Sequence, residues 1–103
     1  MTLRITHEGE STLRATLRLE GSLVGEWAAL LEHECSGLLS AATAVSLNLT
    51  GVRLVDRAGV EVLGRLSRAG VEVLCSNGAV ASVLEGEGIT VKREGGGQDQ
   101  RRR

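Results

Sequence analysis

The sequence has few bulky aromatic residues: Trp27 is its single tryptophan, and it has no phenylalanine or tyrosine. It also has no proline. A core without large rings has to be built from leucine, valine and alanine, so we expect a fold of modest stability. At 103 residues the chain has the size of one small domain. Its 42% apolar and 24% charged residues are typical of a water-soluble globular protein rather than a disordered one.

Strong net charge and long apolar runs are also missing. The formal net charge of −1 provides no general basic field, which argues against nucleic-acid binding. Three arginines at positions 101–103 are too few to change that expectation. No apolar run approaches the length that spans a membrane, and the first residues do not begin a signal peptide. We therefore expect a cytoplasmic location and no membrane insertion.

The usual signatures of cofactor, metal and catalytic sites do not occur. Cys35 and Cys75 form no Cys-x-x-Cys pair, and we interpret both as buried free thiols. Neither His7 nor His33 stands at metal-ligand spacing. No dinucleotide fingerprint, P-loop or Gly-x-Ser-x-Gly motif is present. We expect no catalytic residues, no bound metal and no cofactor.

The N-terminal third predicts a hairpin followed by a helix. Apolar and polar residues alternate over positions 2–6 and again over 12–20, which is typical of strands with one buried face. Residues 7–10 are predicted to form the turn between them. Gly21-Ser22 is predicted to end the second strand, with Ser22 capping an amphipathic helix over residues 24–39.

Residues 45–66 predict a strand, an irregular connection and a second helix. Val45 to Leu49 alternates strictly, Thr50-Gly51 is interpreted as a turn, and residues 52–55 form another apolar run. Asp56 is a candidate N-cap, because its carboxylate can accept from the unpaired N–H groups of a helix beginning at Arg57. Four residues are predicted to face the core: Val60, Leu63, Gly64 and Leu66. Four form a polar stripe, with Glu61 and Arg65 at the spacing of an ion pair: Arg57, Glu61, Arg65 and Arg68.

The remainder predicts a strand, a short helix and a last strand. Ala-Gly-Val-Glu-Val-Leu occurs at 58–63 and again at 69–74; the second copy follows a helix stop and alternates, so residues 71–76 are interpreted as a strand. After a turn at Asn77-Gly78 comes a short helix with three residues predicted to face inward: Val80, Val83 and Leu84. Residues 89–92 predict the last strand. Residues 94–103 predict a flexible polar tail, which leaves residues 1–93 as the domain.

The strand, turn and helix start around Asp56-Arg57-Ala58-Gly59 resemble the signature of the STAS domain, whose best-known members are bacterial anti-sigma factor antagonists. In that family an Asp-Ser-Ser/Ala-Gly tetrapeptide opens the helix, and a partner kinase phosphorylates the Ser after the Asp. The equivalent position here is Arg57. The family's common Gly-Glu-Leu-Asp is replaced by Gly21-Ser22-Leu23-Val24, which lacks both acids.

The resemblance and the strand pattern together predict the fold class. We expect an α/β, STAS-like domain with a five-stranded mixed sheet, in which an antiparallel N-terminal hairpin precedes parallel β-α units. Because nearly every strand alternates, the helices should lie on one face of the sheet, as crossovers of one hand that advance in one direction require.

The resemblance implies a non-enzymatic regulatory binding module whose partner is an anti-sigma factor or related kinase. With Arg57 in place of the Ser, the protein would not be switchable by phosphorylation at that position. The predicted partner-binding residues are Asp56, Arg57, Ala58, Gly59, Glu61, Arg65, Ser22, Leu23 and Val24. An accessory subunit that contacts the ATPase of an ABC-type lipid transporter is one alternative, and a nucleotide-binding domain is another.

Overall fold

The computed structural model describes residues 2–10, 13–41 and 43–92, with the backbone alone for Gly9 and Glu10. Within those residues the chain forms four strands and three helices. Their bounds are β1 Leu3–Glu10, β2 Arg14–Leu23, α1 Glu26–Ser40, β3 Ala44–Val55, α2 Arg57–Arg68, β4 Glu72–Leu74 and α3 Gly78–Gly86. The predicted tail at 94–103 lies outside the described residues.

The strands lie side by side in chain order, β1-β2-β3-β4. β1 and β2 pair antiparallel, whereas β2 with β3 and β3 with β4 pair parallel. The predicted antiparallel hairpin followed by parallel β-α units is thereby confirmed. Since the parallel strands end at the same edge of the sheet, the segments that lead into α1, α2 and α3 all start there.

One hydrophobic cluster holds the fold together, and all three helices contribute to it. In β2 buried side chains alternate with more exposed ones, so one face of the sheet carries the core. In β3 this face holds Val45, Leu47 and Leu49, and Ser46 between them is buried as well. The predicted ringless core is confirmed: its fully buried side chains are Leu17, Leu19, Leu23, Leu31, Leu47, Leu49, Leu63, Leu84, Val52, Val73, Cys35 and Cys75. A single shared core agrees with the expectation that the helices cover one face.

The N-terminal hairpin is longer than the sequence pattern predicted. The turn expected at residues 7–10 is wrong, because these residues continue β1 and pair with β2 through a register shift between Glu8 and Glu10. The strand end expected at Gly21-Ser22 is also wrong. Gly21 lies inside β2 at φ 106°, and a Cβ there would stand 2.1 Å from the Thr2 carbonyl oxygen. Glycine therefore lets the start of β1 approach β2 while the strand continues.

β3 runs unbroken through the turn that was expected at Thr50-Gly51. In place of the turn, the pairing of β3 with β2 shifts its register: Arg18 pairs with Asn48, but Glu20 pairs with Gly51. The Asn48 Oδ1 atom accepts from the backbone N–H of Thr50 at 2.9 Å and from its hydroxyl at 2.6 Å. These bonds satisfy polar groups that the shifted ladder leaves over, so the chain bulges instead of turning.

The predicted fifth strand is wrong, because the described residues contain four strands. Of residues 89–92, Lys92 alone forms a bridge, to Leu74 of β4. Lys92 donates its N–H to Val73 and accepts from the N–H of Cys75, both at 2.8 Å. Its ammonium also contacts Glu72 at 2.5 Å, and this hydrogen bond is the main reason why the pKa of Glu72 lies below its ordinary value. The last segment is thus attached to the sheet by one residue rather than by a ladder.

The residues predicted to face inward on α2 and α3 are buried, with one exception on α3. Asn77 is its N-cap and accepts from Ala79 and Val80 through its side chain. Val80 and Leu84 are buried as predicted, but Val83 is 50% exposed. The prediction that Val83 faces inward is wrong, because α3 presents a narrow face to the core and Val83 lies at its margin.

Candidate functional site

The start of α2 is organised by the two carboxylate oxygens of Asp56. Asp56 Oδ1 accepts from the N–H of Gly59 at 2.9 Å, which is the N-cap bond that the sequence predicts. Asp56 Oδ2 accepts from the N–H of Gly25 at 3.0 Å, 31 residues earlier in the chain. The backbone N–H of Asp56 donates to the carbonyl of Leu23 at 3.3 Å. Asp56 therefore joins the starts of α1 and α2 through its side chain and the end of β2 through its backbone N–H.

Gly59 is required at this junction by close packing. A Cβ at this position would stand 2.4 Å from the Leu23 carbonyl oxygen and 2.7 Å from Cγ1 of Val55. Distances below 3.0 Å are not tolerated without movement of the backbone. The Asp and the Gly of the tetrapeptide are thus both explained by the fold.

The first turn of α1 has no side-chain cap of its own. Its N-cap is Gly25, at φ 55° and ψ −130°, and α1 begins at Glu26. The prediction that Ser22 caps this helix is wrong, because Ser22 is buried inside β2 and donates its N–H to the carbonyl of Thr2. Asp56 accepts from the N–H of Gly25 itself, which joins α1 to α2 although no side chain caps the first turn of α1.

The predicted partner-binding residues divide into exposed and buried groups. Those with exposed side chains are Asp56, Arg57, Glu61 and Arg65. Ala58 and Val24 are partly exposed, whereas Ser22, Leu23 and Gly59 are buried. Leu23 is 0% exposed, so a protein that binds this surface would contact Val24 and not the side chain of Leu23. The assignment of these residues to partner binding stays a prediction.

Arg65 has a different ion-pair partner from the one predicted. Instead of Glu61, four residues earlier, it binds Glu32 of α1 in a bidentate contact, with Nε–Oε2 at 2.7 Å and Nη2–Oε1 at 3.0 Å. This hydrogen bond is the main reason why the pKa of Glu32 lies below its ordinary value and that of Arg65 above it. The planar guanidinium suits a bidentate bond between helices better than a contact along one helix. Glu61 adds only a Coulombic contribution that raises the pKa of Arg65.

Arg57 differs from its neighbours because the fold makes no visible use of it. It is exposed, and among the residues that the structure describes its side chain forms neither a hydrogen bond nor an ion pair. It borders two shallow clefts of about 200 and 220 Å³ on either side of Val60. Its guanidinium is therefore available to a second molecule.

Three features of this surface escaped the sequence interpretation. The first is the N-cap residue Gly25, whose N–H donates to Asp56. The second is the ion pair between Glu32 and Arg65, and the third is the exposure of Leu54 and Val83 near Arg57. The first two are contacts between segments that are distant in sequence, and the third depends on how α3 lies beside β3. Only the Gly25 position carried a local signal, since a glycine at a strand-to-helix junction often adopts positive φ.

Metal and thiol chemistry find no support at this surface. Within the described residues no three His, Cys, Asp or Glu side chains lie close enough to hold a metal ion. Cys35 and Cys75 are buried free thiols, as predicted. Burial, followed by the charges of Glu34 and Glu32, raises the pKa of Cys35 to about 12, which keeps it protonated and unreactive. No helix among the described residues has the length and apolar character needed to cross a membrane.

Comparison with solved structures identifies the fold. The anti-sigma factor antagonist SpoIIAA in its unphosphorylated form matches with a TM-score of 0.74 over 90% of each chain, at 19% identity. An anti-sigma factor antagonist from Mycobacterium paratuberculosis matches with a TM-score of 0.75, over 88% of this chain and 86% of that chain, at 14% identity. The chain has the STAS-like fold of these antagonists.

Other comparisons are less informative. Part of the structure of Mglu matches with a TM-score of 0.55 and 21% identity, over 92% of this chain but 20% of the Mglu chain. No protein-family model matches the sequence, and no curated protein sequence matches it significantly. The structural likeness, at such low identity, concerns the fold.

Proposed function

We propose that this protein is a non-enzymatic binding module that acts as an anti-sigma factor antagonist, with its contact surface at the start of α2. The observation that carries the proposal is that the residues of the turn Asp56–Gly59 differ in their structural roles. Asp56 and Gly59 build the turn, whereas the exposed Arg57 side chain forms neither a hydrogen bond nor an ion pair among the described residues. Two proteins of this fold are themselves anti-sigma factor antagonists, which supports the same class of partner here.

Arg57 keeps this module in its unphosphorylated, binding-competent state. It occupies the position where the resemblance to STAS proteins places a phosphorylated Ser, and a guanidinium offers no hydroxyl to a Ser/Thr kinase. Its charge is also opposite to that of a phosphate, so it does not imitate the phosphorylated form. The protein would therefore stay competent to bind under conditions that release a phosphorylatable antagonist.

The proposed contact residues are the exposed members of the predicted set: Asp56, Arg57, Glu61 and Arg65, with Ala58 and Val24 at the margin. A cation at a helix N-terminus lowers stability by a few tenths to about 1 kcal/mol, because the helix dipole is positive there. A partner carboxylate against Arg57 would remove that cost on binding. We assign the protein to the bacterial cytoplasm, where sigma factors act.

The test is a calorimetric titration of purified kinase-type anti-sigma factors from the source organism. Each is titrated with the native protein and with Arg57→Ser, in the presence and absence of ATP. We expect the native protein to bind equally in both conditions. Arg57→Ser should bind without ATP, become phosphorylated when ATP is present, and then dissociate.

Arg68→Ser is the matched control, since it makes the same substitution at an exposed position three turns later on α2. It should bind like the native protein and gain no phosphate, as measured by intact-protein mass spectrometry. Absence of binding to any of these factors would refute the antagonist function. The ATPase of an ABC-type lipid transporter would then be the next partner to titrate, and ATP or GTP alone the next ligand.

A further inference from the structure

A groove beside Arg57 results from the unequal lengths of two neighbouring strands. β4 has three residues and pairs with β3 only at Ser46, Leu47 and Asn48, whereas β3 continues to Val55. Beyond that ladder α3 packs beside β3, where the Asn77 side chain donates to the carbonyl of Val52 at 3.4 Å. A helix follows a strand edge less closely than another strand does, which leaves a depression between α3 and the end of β3.

This depression, which we call the β3–α3 groove, is lined by Arg53, Leu54, Val55, Ala79, Val80 and Val83 and encloses about 120 Å³. It continues into the 220 Å³ cleft that reaches Arg57, since both share Val55 and Val83. Leu54 is 43% exposed and Val83 50% exposed, and these are two of only four large apolar side chains exposed in the described part of the chain. Such residues are normal when scattered, but here two lie together.

The charges at the two ends of the groove favour an anionic occupant. Neither Arg53 nor Arg57 forms an ion pair within the described residues. Asp56 is nearby, but its oxygens accept from N–H groups at the starts of two helices, whose dipoles place about +0.5 charge at each end. Both its oxygens are therefore already engaged in hydrogen bonds within the fold. Glu87 is the remaining acid, against two arginines.

We propose that the β3–α3 groove is the apolar half of the partner surface and receives an apolar side chain of the protein partner, next to which the partner carries a carboxylate that pairs with Arg57. This inference rests on the proposed function and extends its surface beyond α2. The groove then supplies the buried apolar contact that an interface needs at its centre, and Arg57 supplies orientation. Residues 93–103 are a poor alternative occupant, because they hold four arginines and two acids.

The experiment measures binding of the same anti-sigma factor to Val83→Asp, with Leu30→Asp as the matched control. Leu30 is 41% exposed on α1 and lines no part of the groove. Val83→Asp should weaken binding at least tenfold, because it places a charge in the apolar contact and repels the partner's carboxylate. Leu30→Asp should change the dissociation constant less than twofold. Val83→Leu, which keeps the apolar surface, should preserve binding.

A second pair tests the charge. Arg57→Glu should weaken binding at least tenfold and reduce its dependence on salt, whereas Arg68→Glu should have little effect. Circular dichroism and urea denaturation establish that each variant is folded.

The outcomes separate this inference from the proposed function. If the native protein binds and Val83→Asp binds equally well, the groove inference is wrong while the antagonist function stands. If the native protein binds no anti-sigma factor, both are wrong. If sedimentation shows a native dimer that Val83→Asp dissociates, or if deletion of residues 93–103 shifts the NMR signals of Val83, the occupant is a second copy or the chain's own end, and the proposal is overturned.

Discussion

The first turn of α2 and its last two turns are held by the rest of the protein in different ways. At the first turn, Asp56 forms bonds to two helix starts and Gly59 packs against the Leu23 backbone with no room for a methyl group. At the far end, a Cβ on Gly64 would meet its nearest neighbour, Nη1 of Arg68, at an ordinary 3.6 Å, and Arg65 is tied to α1 through an exposed ion pair. The start of α2 therefore has no room for a larger side chain at Gly59, whereas its far end has room for a methyl group at Gly64.

This difference indicates how a binding position can be recognised. In a turn where the neighbouring residues are fixed by hydrogen bonds and close packing, a side chain with no internal role is a candidate for an external one. Arg57 meets that description, whereas Arg65 already binds Glu32 and would contact a partner only alongside or in place of that pair. The variants below test the contrast between the two ends of α2, beginning with the largest expected effect.

Gly59→Ala should be the most damaging single-methyl change in α2. Because the added carbon would overlap the Leu23 carbonyl and Val55, the backbone has to move, and we expect a loss of about 2–3 kcal/mol in the free energy of unfolding. Urea denaturation measures this loss. A change smaller than about 0.5 kcal/mol would show that the β2 end and α2 are not held as closely as described.

Asp56→Ala removes both acceptors and should cost about 1–2 kcal/mol, the upper range for loss of an N-cap. Asp56→Asn sharpens the test, since its carbonyl oxygen can replace the bond to Gly59, whereas its NH2 group, a donor, then takes the place of the oxygen that accepts from Gly25. We expect Asn to restore part of the stability and leave the amide resonance of Gly25 shifted. Equal stability of the Asn variant and the native protein would mean that the bond to Gly25 contributes nothing.

Gly64→Ala should have the opposite sign to Gly59→Ala, although both replace a buried glycine of the same helix. There is space for the methyl group, and alanine in a helix interior is favoured over glycine by about 0.5–1 kcal/mol. The midpoint of urea denaturation should therefore rise. A decrease would show that the far end of α2 is packed as tightly as its start.

The smallest effect concerns pH and the pair between Glu32 and Arg65. Since the folded-state pKa of Glu32 lies below its ordinary value of 4.5, the stabilisation is fully present above that value and disappears as pH falls through the lowered folded pKa. The pair is exposed, so the contribution is small. Glu32→Gln should flatten the acid side of the stability profile slightly, whereas Glu34→Gln on the same helix serves as the control. Identical profiles for the native protein and Glu32→Gln would contradict the assignment.

The sequence was most informative where a physical rule acts over a few residues. Asp56 could be identified as an N-cap because the cap bond spans three residues, and alternation identified the buried positions of β2. It was less informative where distant segments decide the outcome. The register shift that keeps β3 continuous depends on pairing with β2, and the pairing of Arg65 with Glu32 depends on how α1 lies against α2.

The exposure of Val83 and the loss of the fifth strand have a similar origin. Helical spacing places Val83 near Val80 and Leu84, but the width of the buried face depends on how much sheet lies beneath α3. Residues 89–92 alternate like a strand, yet only Lys92 bridges to β4, itself three residues long. A short neighbour offers too few partners for a ladder, and its length cannot be inferred from the alternation of the last segment alone.

The two hydrogen bonds that the Asp56 carboxylate accepts also have a consequence for local motion. Because one carboxylate holds the amides of Gly25 and Gly59, the first turns of α1 and α2 should open as a single unit even though 31 residues separate Gly25 from Asp56. Their hydrogen-exchange rates should therefore rise and fall together. A molecule that covers Arg57 would slow exchange at Gly25 as well, so the start of α1 would report on an event that takes place on α2.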